Sequence, residues 1–337
     1  MQRSLRDQRN RSLIRSYSFC FQIFYASKFE TLNSLSICRA FTGLIESLLV
    51  LLGFQDELAK EDPFILTIKR GILCMQREEY DKAELILHTA LKMAQDLMHE
   101  KAITYIFALL ANNSFEKKDY KKAENLYKVV MSRVLANGAQ ENDESIIEMS
   151  LKLAKIYSER NENVNAEHGF KFCLSHQEKR IKDIDVKSEL TKEEENSLAL
   201  YGMITDWYSK HLLKIGDKEN SLKHANIAYD ISVNVNGIQH PQTITLLNDI
   251  GSIHFAMHHF EQSIEYFQKA VRLGILANSD NLATFYHNLG IAYLQVMKKH
   301  LAHSACLRSL ELATESENID GINKAKECLA ETDKLKV

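Results

Sequence analysis

Small residues recur along this 337-residue chain at intervals close to the length of one helical hairpin, with aromatic residues near them at helical spacing. In the two clearest copies, Tyr80 precedes Ala83 and Tyr120 precedes Ala123 by one helical turn. The equivalent small residues that follow are Ala166, Ser221, Ser263 and Ala302, which gives spacings of 40, 43, 55, 42 and 39 residues. Small residues let neighbouring helices approach and aromatic residues fill the space between hairpins. The pattern predicts stacked hairpins, a fold that binds other molecules and rarely does chemistry.

Composition supports an all-α fold, because two prolines and 12 glycines are few helix breakers for a chain of this length. We predict a right-handed α-solenoid of about six hairpins over residues 63–319. The mixed charges of residues 178–197 predict a protruding helical extension and loop within that array. Apolar residues spaced along residues 320–337 predict an amphipathic helix that caps the last hairpin.

The repeated unit resembles that of the tetratricopeptide repeat family over residues 64 to about 315, with a small residue in each helix of the hairpin. A spacing near 42 residues resembles the long-helix branch found in kinesin light chains. The turn from Gly237 to Thr243, which contains His240 and Pro241, is similar to the inter-repeat turn of that branch. Pro241 is expected in the first turn of a helix, where its missing N–H costs no hydrogen bond.

Residues 1–40 differ in charge from the rest of the chain. They carry a net charge of +5, whereas the remainder carries −8. A basic, Ser-rich and acid-poor leader is typical of a mitochondrial transit peptide. We therefore expect import into mitochondria and cleavage between Tyr17 and Thr42. The alternative is a disordered basic tail on a cytosolic protein.

The most apolar stretch of the chain, from Phe41 to Phe54, lies within the segment 41–62 that links the leader to the repeats. It contains Glu46 and is shorter than the roughly 20 residues that a membrane-spanning helix needs. Three interpretations remain: an interfacial anchor, a segment folded onto the first repeat, or part of a longer targeting sequence. Peripheral attachment or packing onto the protein itself is favoured over spanning.

No motif for catalysis, a cofactor or a metal is found: a Gly-rich phosphate loop, a nucleophile elbow and a Cys-x-x-Cys pair are all missing from the sequence. Cys74, Cys173 and Cys306 fall on apolar or small positions of the repeats, which predicts buried reduced thiols rather than disulfides. His254 and His258 could chelate a metal but are expected to face solvent. The chain is therefore expected not to be an enzyme.

Aromatic residues of the fourth repeat, Trp207, Tyr201 and Tyr208, are expected to pack between repeats rather than to bind a cofactor.

The first helix of each hairpin lines the inner groove in this family, so the resemblance supplies candidate partner-binding residues. They are Ile72, Met75, Tyr105, Asn112, Phe115, Lys155, Lys210, Asn248, Phe255 and His287. Ala108 stands where chaperone-binding relatives have an essential Lys, which disfavours a chaperone cofactor. The mixed groove suits an extended or helical protein segment. Nucleic acid is not expected, because the repeat region is acidic and has no basic stripe.

Longer strings resemble a mitochondrial branch of the family, among them residues 83–91, 101–105, 146–157 and 240–244. By that resemblance the chain acts at the inner mitochondrial membrane, and we expect it to face the matrix. Together with the short apolar segment and the missing catalytic motifs, this predicts a peripheral, non-catalytic adaptor. Its implied partners are subunits of respiratory complex III and the Rieske iron–sulfur protein or its N-terminal fragments, together with a protease that removes those fragments. The implied role is to clear the fragments so that complex III stays active. The alternative is a cytosolic cargo or peptide adaptor of the kinesin-light-chain type.

Overall fold

The computed structural model describes residues 62–185 and 190–334, and these residues form thirteen α-helices and no β-strand. The expectations for the leader, its cleavage region and the apolar segment concern residues outside the described part of the chain. In chain order the helices are α1 (Pro63–Gln76), α2 (Tyr80–Asp96), α3 (Glu100–Glu116), α4 (Tyr120–Ala136), α5 (Glu144–Glu159), α6 (Asn163–Ile181), α7 (Lys192–Ile215), α8 (Lys218–Asn236), α9 (Pro241–Ala256), α10 (Phe260–Leu276), α11 (Leu282–Gln295), α12 (Lys299–Glu315) and α13 (Ile319–Lys334).

The helices belong to two compact units. The N-terminal unit comprises residues 62–185, residue 190 and residues 203–217, and contains α1 to α6 with the C-terminal part of α7. The C-terminal unit comprises residues 191–202 and 218–334, and contains the start of α7 with α8 to α13. Within each unit, first and second helices pack as hairpins, namely α1/α2, α3/α4, α5/α6, α9/α10 and α11/α12. The all-α class and the tetratricopeptide-type hairpins are confirmed.

Each recurring small residue of the sequence pattern is the fourth residue of a second helix. Ala83, Ala123, Ala166, Ser221, Ser263 and Ala302 are all fully buried. A larger side chain at these positions would occupy the space of the helix packed against it. The number of residues between successive small residues therefore equals the number between the starts of successive second helices.

Side-chain hydrogen bonds and a glycine stabilise the turn before α9. Pro241 is the first residue of the helix, as expected, and the Nδ1 atom of His240 accepts a hydrogen bond of 3.2 Å from the backbone N–H of Gln242. The hydroxyl of Thr243 donates to the carbonyl oxygen of Gly237 over 2.9 Å. Gly237 has a φ of 86°, a conformation that favours glycine. These contacts join the end of α8 to the start of α9.

The charged region at residues 178–197 is helical at both ends. Helix α6 continues to Ile181 and α7 begins at Lys192, so both helices extend into this region. Thr191 caps α7, because its backbone N–H and hydroxyl donate to Glu194 over 2.8 Å and 2.7 Å. The last helix, α13, buries Ala325, Cys328 and Thr332 against its neighbours and exposes charged residues.

A disulfide between Cys306 of α12 and Cys328 of α13 corrects the expectation of a reduced thiol at Cys306. The two residues occupy buried positions on adjacent helices, and their Cα atoms lie 5.8 Å apart. Cys173 is a buried free thiol, as expected, whereas the free thiol of Cys74 is only half-buried. Burial raises the pKa of Cys173 to about 12, which keeps this thiol protonated and unreactive.

Within the described residues, no helix combines the length and the apolar character needed to cross a membrane.

Candidate partner-binding grooves

One face of α3 in the N-terminal unit is only half-buried. Tyr105, Ala108 and Asn112 are half-buried and spaced three and four residues apart, so they lie on one side of the helix. The opposite side carries the buried core residues Ile106 and Leu110. This face of α3 and the neighbouring face of α5 form what we call the N-terminal groove.

A polar cluster joins α3, α4 and α5 at the floor of the N-terminal groove. The Oδ1 atom of Asn112 accepts hydrogen bonds of 2.8 Å from the hydroxyl of Tyr127 and from the Nζ atom of Lys152. Lys152 also forms an ion pair of 2.6 Å with Glu148, and its side chain is 4% exposed. Burial raises the pKa of Tyr127 well above its usual value, so its hydroxyl keeps the proton that it donates. Asn112 is thus held in one orientation by its neighbours.

Two lysines among the predicted groove residues of this unit, Lys155 and Lys210, each pair with an acidic residue on the same helix. The Nζ atom of Lys155 lies 2.7 Å from Glu159, and that of Lys210 lies 2.9 Å from Asp206. Hydrogen bonding to Lys155 lowers the pKa of Glu159. The groove therefore presents paired charges, which disfavour recognition that depends on one strong free charge.

Aromatic residues link α3 to α7. The rings of Phe115 and Trp207 stack with centroids 6.0 Å apart, and Phe115 also contacts Tyr120 and Tyr127. The ring of Tyr208 stacks on Phe170 at 5.4 Å. The expected packing role of Trp207 and Tyr208 is confirmed, and Phe115 shares in it. Because Phe115 contributes to packing, its substitution would affect folding as well as binding.

The C-terminal unit has a second groove, formed by α9 and α11, which we call the C-terminal groove. Asn288 donates from Nδ2 to the Oδ1 atom of Asn248 over 2.9 Å, which joins the two helices. Phe255 lies on the same face of α9 as Asn248 and contacts the ring of Phe260 edge to face at 5.4 Å. His287 is half-buried on α11, and burial lowers its pKa, so its imidazole is neutral near pH 7. Neutral polar and aromatic groups dominate this groove.

The predicted groove residues separate by unit and by burial. Ile72, Met75, Tyr105, Asn112, Phe115, Lys155 and Lys210 lie in the N-terminal unit, and Asn248, Phe255 and His287 lie in the C-terminal unit. Met75 and Asn248 are 7% and 6% exposed, so they shape the interior more than the surface. Lys210 is exposed, and the other seven are half-buried.

His254 and His258 belong to different elements of the structure. Helix α9 ends at Ala256, so His254 and His258 do not share a helix, and His258 lies in the turn that follows. The prediction that His254 faces solvent is wrong: its ring stacks on Tyr266 at 5.2 Å, and burial lowers its pKa. Among the described residues, no group of three or more His, Cys, Asp or Glu side chains could hold a metal ion.

A serine and a histidine that the sequence analysis missed lie in contact in the N-terminal unit. The hydroxyl of Ser158 is 2.9 Å from Nδ1 of His211. The two residues are 3% and 1% exposed, and the ring of His211 packs against Phe170. A substrate has no access to this pair, so it contributes to packing rather than to nucleophilic catalysis. Residues 53 positions apart in the chain gave no local signal of this contact.

Stacked hairpins with grooves lined by their first helices define a helical-repeat protein of the tetratricopeptide class. The tetratricopeptide repeat family model matches residues 204–274. Such repeats generally serve as protein-interaction scaffolds without catalytic function.

Relatives across most of the chain give the narrower assignment. The Drosophila melanogaster protein named tetratricopeptide repeat protein 19 homolog, mitochondrial, is 32% identical over 278 residues, which cover 82% of this chain and 73% of the relative. The Homo sapiens protein named tetratricopeptide repeat protein 19, mitochondrial, is 32% identical over 277 residues, which cover 81% of this chain and 73% of the relative. The chain belongs to this family of mitochondrial tetratricopeptide repeat proteins.

Solved structures agree with the fold. BtubC from P. vanneervenii aligns with a TM-score of 0.55 and 14% identity over 77% of this chain and 94% of its own. The apo form of RapI aligns with a TM-score of 0.57 and 12% identity over 79% of this chain and 80% of its own. At these identities the similarity concerns the fold alone.

Proposed function

We propose that this chain is a non-catalytic mitochondrial adaptor that binds respiratory complex III and promotes clearance of the N-terminal fragments of the Rieske iron–sulfur protein. The observation that carries the proposal is the similarity to mitochondrial relatives over four fifths of the chain. The partner follows from the family resemblance of the sequence strings described above. Paired charges and half-buried aromatic residues in the grooves support binding of a protein segment.

The adaptor acts by competition for contacts. A retained fragment leaves a complex when the adaptor offers binding free energy to the fragment or to the surface that the fragment occupied. The N-terminal groove suits this role, because the hydrogen bonds to Asn112 fix its polar floor while Tyr105 stays half-buried beside it. Recruitment of a protease to the displaced fragment completes the proposed clearance.

Loss of the chain tests this function. Mitochondria without the chain should contain assembled complex III whose ubiquinol-to-cytochrome c activity is reduced. Mass spectrometry should detect Rieske N-terminal fragments on this complex. The wild-type chain should restore activity, and so should a control with Leu85→Ala and Lys92→Glu on the exposed surface of α2. A chain with Tyr105→Ala and Lys155→Glu should restore it poorly. Unchanged fragment levels, or hydrolysis of a Rieske N-terminal peptide by the purified chain, would contradict the proposal.

Location is the second part of the proposal. Residues 1–40 act as a transit peptide, cleavage falls between Tyr17 and Thr42, and the mature chain associates peripherally with the inner membrane. Sequencing of the mature N-terminus from isolated mitochondria tests this. An intact chain starting at Met1 in the cytosol would contradict it and favour the kinesin-light-chain-type adaptor.

Two observations favour opposite sides of the inner mitochondrial membrane for this chain. Family resemblance favours the matrix, whereas the disulfide between Cys306 and Cys328 favours a more oxidising compartment. Protease protection of the chain in mitochondria with a ruptured outer membrane decides between them, since a matrix protein stays protected and a protein of the intermembrane space is digested.

A further inference from the structure

First helices inside each unit pack between two second helices. Helix α3 contacts α2 and α4, α5 contacts α4 and α6, and α11 contacts α10 and α12. In each case one neighbour is the helix's own partner and the other comes from the preceding hairpin. Within the described residues, α1 packs mainly against its partner α2 and also contacts α3. The position of a preceding second helix beside α1 is therefore open to the chain that comes before Asp62.

The chemistry of α1 fits a helix that is covered on both sides. Phe64, Ile68, Gly71 and Met75 form its buried stripe. Leu66 and Leu73, one heptad apart, lie on the opposite side at about 100° per residue, and both are half-buried.

Helix α13 at the other end of the repeats shows the contrasting pattern. Opposite its buried residues it carries Lys326, Glu327 and Lys334, all exposed. Terminal repeats need such a polar outer face to stay soluble. On this side α1 carries two half-buried leucines between the exposed Lys69 and Arg70, whereas the corresponding side of α13 is entirely polar.

We propose that the outer face of α1 is a docking surface for residues 41–54 of the same chain. This segment is the most apolar of the sequence and has 14 residues, the same length as α1. The eight residues between Phe54 and Pro63 are close to the seven that connect α4 to α5. Both length and position match those of a preceding second helix.

Matching heptads of leucine give the register of docking. A segment that runs antiparallel to α1, as a preceding second helix would, places Leu51 level with Leu66 and Leu44 level with Leu73. At about 100° per residue, Glu46, the charged residue of the segment, would lie on the side away from Leu44 and Leu51, where water can solvate it. A lipid surface would gain little from an acidic residue in this segment, because mitochondrial membranes carry anionic lipids.

A double-mutant cycle in the full-length chain tests the docking. Leu51→Asp should lower the melting temperature by roughly 5 °C in the wild-type background. In a chain that already carries Leu66→Asp, the same change should lower it by less than half as much, because the contact is already lost. Leu85→Asp on the exposed surface of α2 is the matched control and should show no coupling with Leu51→Asp.

The other pair of leucines gives a second readout that does not depend on burying an acid. Leu44→Ser should lower the melting temperature in the wild-type background, and by less than half as much in a chain that already carries Leu73→Ser. Additive effects in both cycles would overturn the proposal. So would the result expected of a lipid anchor, in which Leu51→Asp leaves the melting temperature unchanged and abolishes sedimentation with phosphatidylcholine and cardiolipin vesicles.

Discussion

The two units use the same hairpin with different chemistry between neighbouring helices. In the N-terminal unit, ion pairs cross from one hairpin to the next: Arg160 lies 2.5 Å from Glu124, and Lys122 pairs with Glu84. In the C-terminal unit, neighbouring helices are joined instead by close packing at glycines, by hydrogen bonds between neutral side chains and by a disulfide. There Asn288 bonds to Asn248, and a disulfide joins α12 to α13.

The difference shows that the repeat pattern determines where helices meet but not which groups hold them. A small residue at the fourth position of each second helix is common to both units, whereas the side chains between hairpins vary. Ion pairs are sensitive to pH and salt, and packed glycines and disulfides are not. The units should therefore respond differently to the same perturbations.

The largest expected effect follows from glycines where helices approach. A Cβ atom on Gly290 would lie 2.6 Å from the Sγ atom of Cys306, which the disulfide holds in place, and 3.3 Å from a backbone nitrogen. A Cβ atom on Gly71 would lie 2.8 Å from the end of the Leu87 side chain, which can move. Gly290→Leu should cost about 4 kcal/mol of unfolding free energy, and Gly71→Leu roughly half as much. Urea unfolding measures both, and equal costs would contradict the contrast between the units.

Loss of the disulfide should have the next largest effect. It closes a separation of 22 residues, for which the constraint on the unfolded chain is worth about 3 kcal/mol. Reductant should therefore lower the stability of the wild-type chain. A chain with Cys306→Ala and Cys328→Ala should start at the lower stability and show no response to reductant. If reductant left the stability of the wild-type chain unchanged, the disulfide would not contribute to the free energy of unfolding.

A smaller effect is expected from an ion-pair centre of the N-terminal unit. Hydrogen bonds from Lys128, Arg160 and Tyr157 lower the pKa of Glu124 below its usual value of 4.5. Because the folded pKa is the lower one, this stabilisation is present above about pH 4.5 and is lost as the pH falls through the folded value. Glu124→Gln should cost about 1 kcal/mol at pH 7 and leave a flatter acid limb in a plot of stability against pH. An acid limb identical to the wild type would contradict this role.

The hairpins could be predicted from the sequence because their signal is local and repeated. Ala83, Ala123 and the equivalent small residues recur at hairpin intervals, and Pro241 marks the start of a helix. Each of these positions is set by helix geometry within a few residues of the chain.

Contacts between hairpins could not be predicted in the same way. Lys152 looks like an ordinary groove lysine, yet a partner 40 residues away, Asn112, holds it in the interior. The error at Cys306 has a similar cause, since its bond to Cys328 depends on how two helices rotate against each other. Such contacts depend on tertiary packing, which the periodicity of one helix does not specify.

Direct binding to complex III is the most direct test of the central claim, that the chain is a binding module for this complex. Purified complex III should be retained by the immobilised full-length chain and by the control with Leu85→Ala and Lys92→Glu. It should be retained at least tenfold less by the chain with Tyr105→Ala and Lys155→Glu, because aromatic groups at interfaces carry a large share of binding free energy. Circular dichroism should show the same helical content in all three. If the variant with Tyr105→Ala and Lys155→Glu retained complex III as well as the wild type, the N-terminal groove would not be the binding site. If the wild-type chain retained no complex III, the claim that it binds this complex would be wrong.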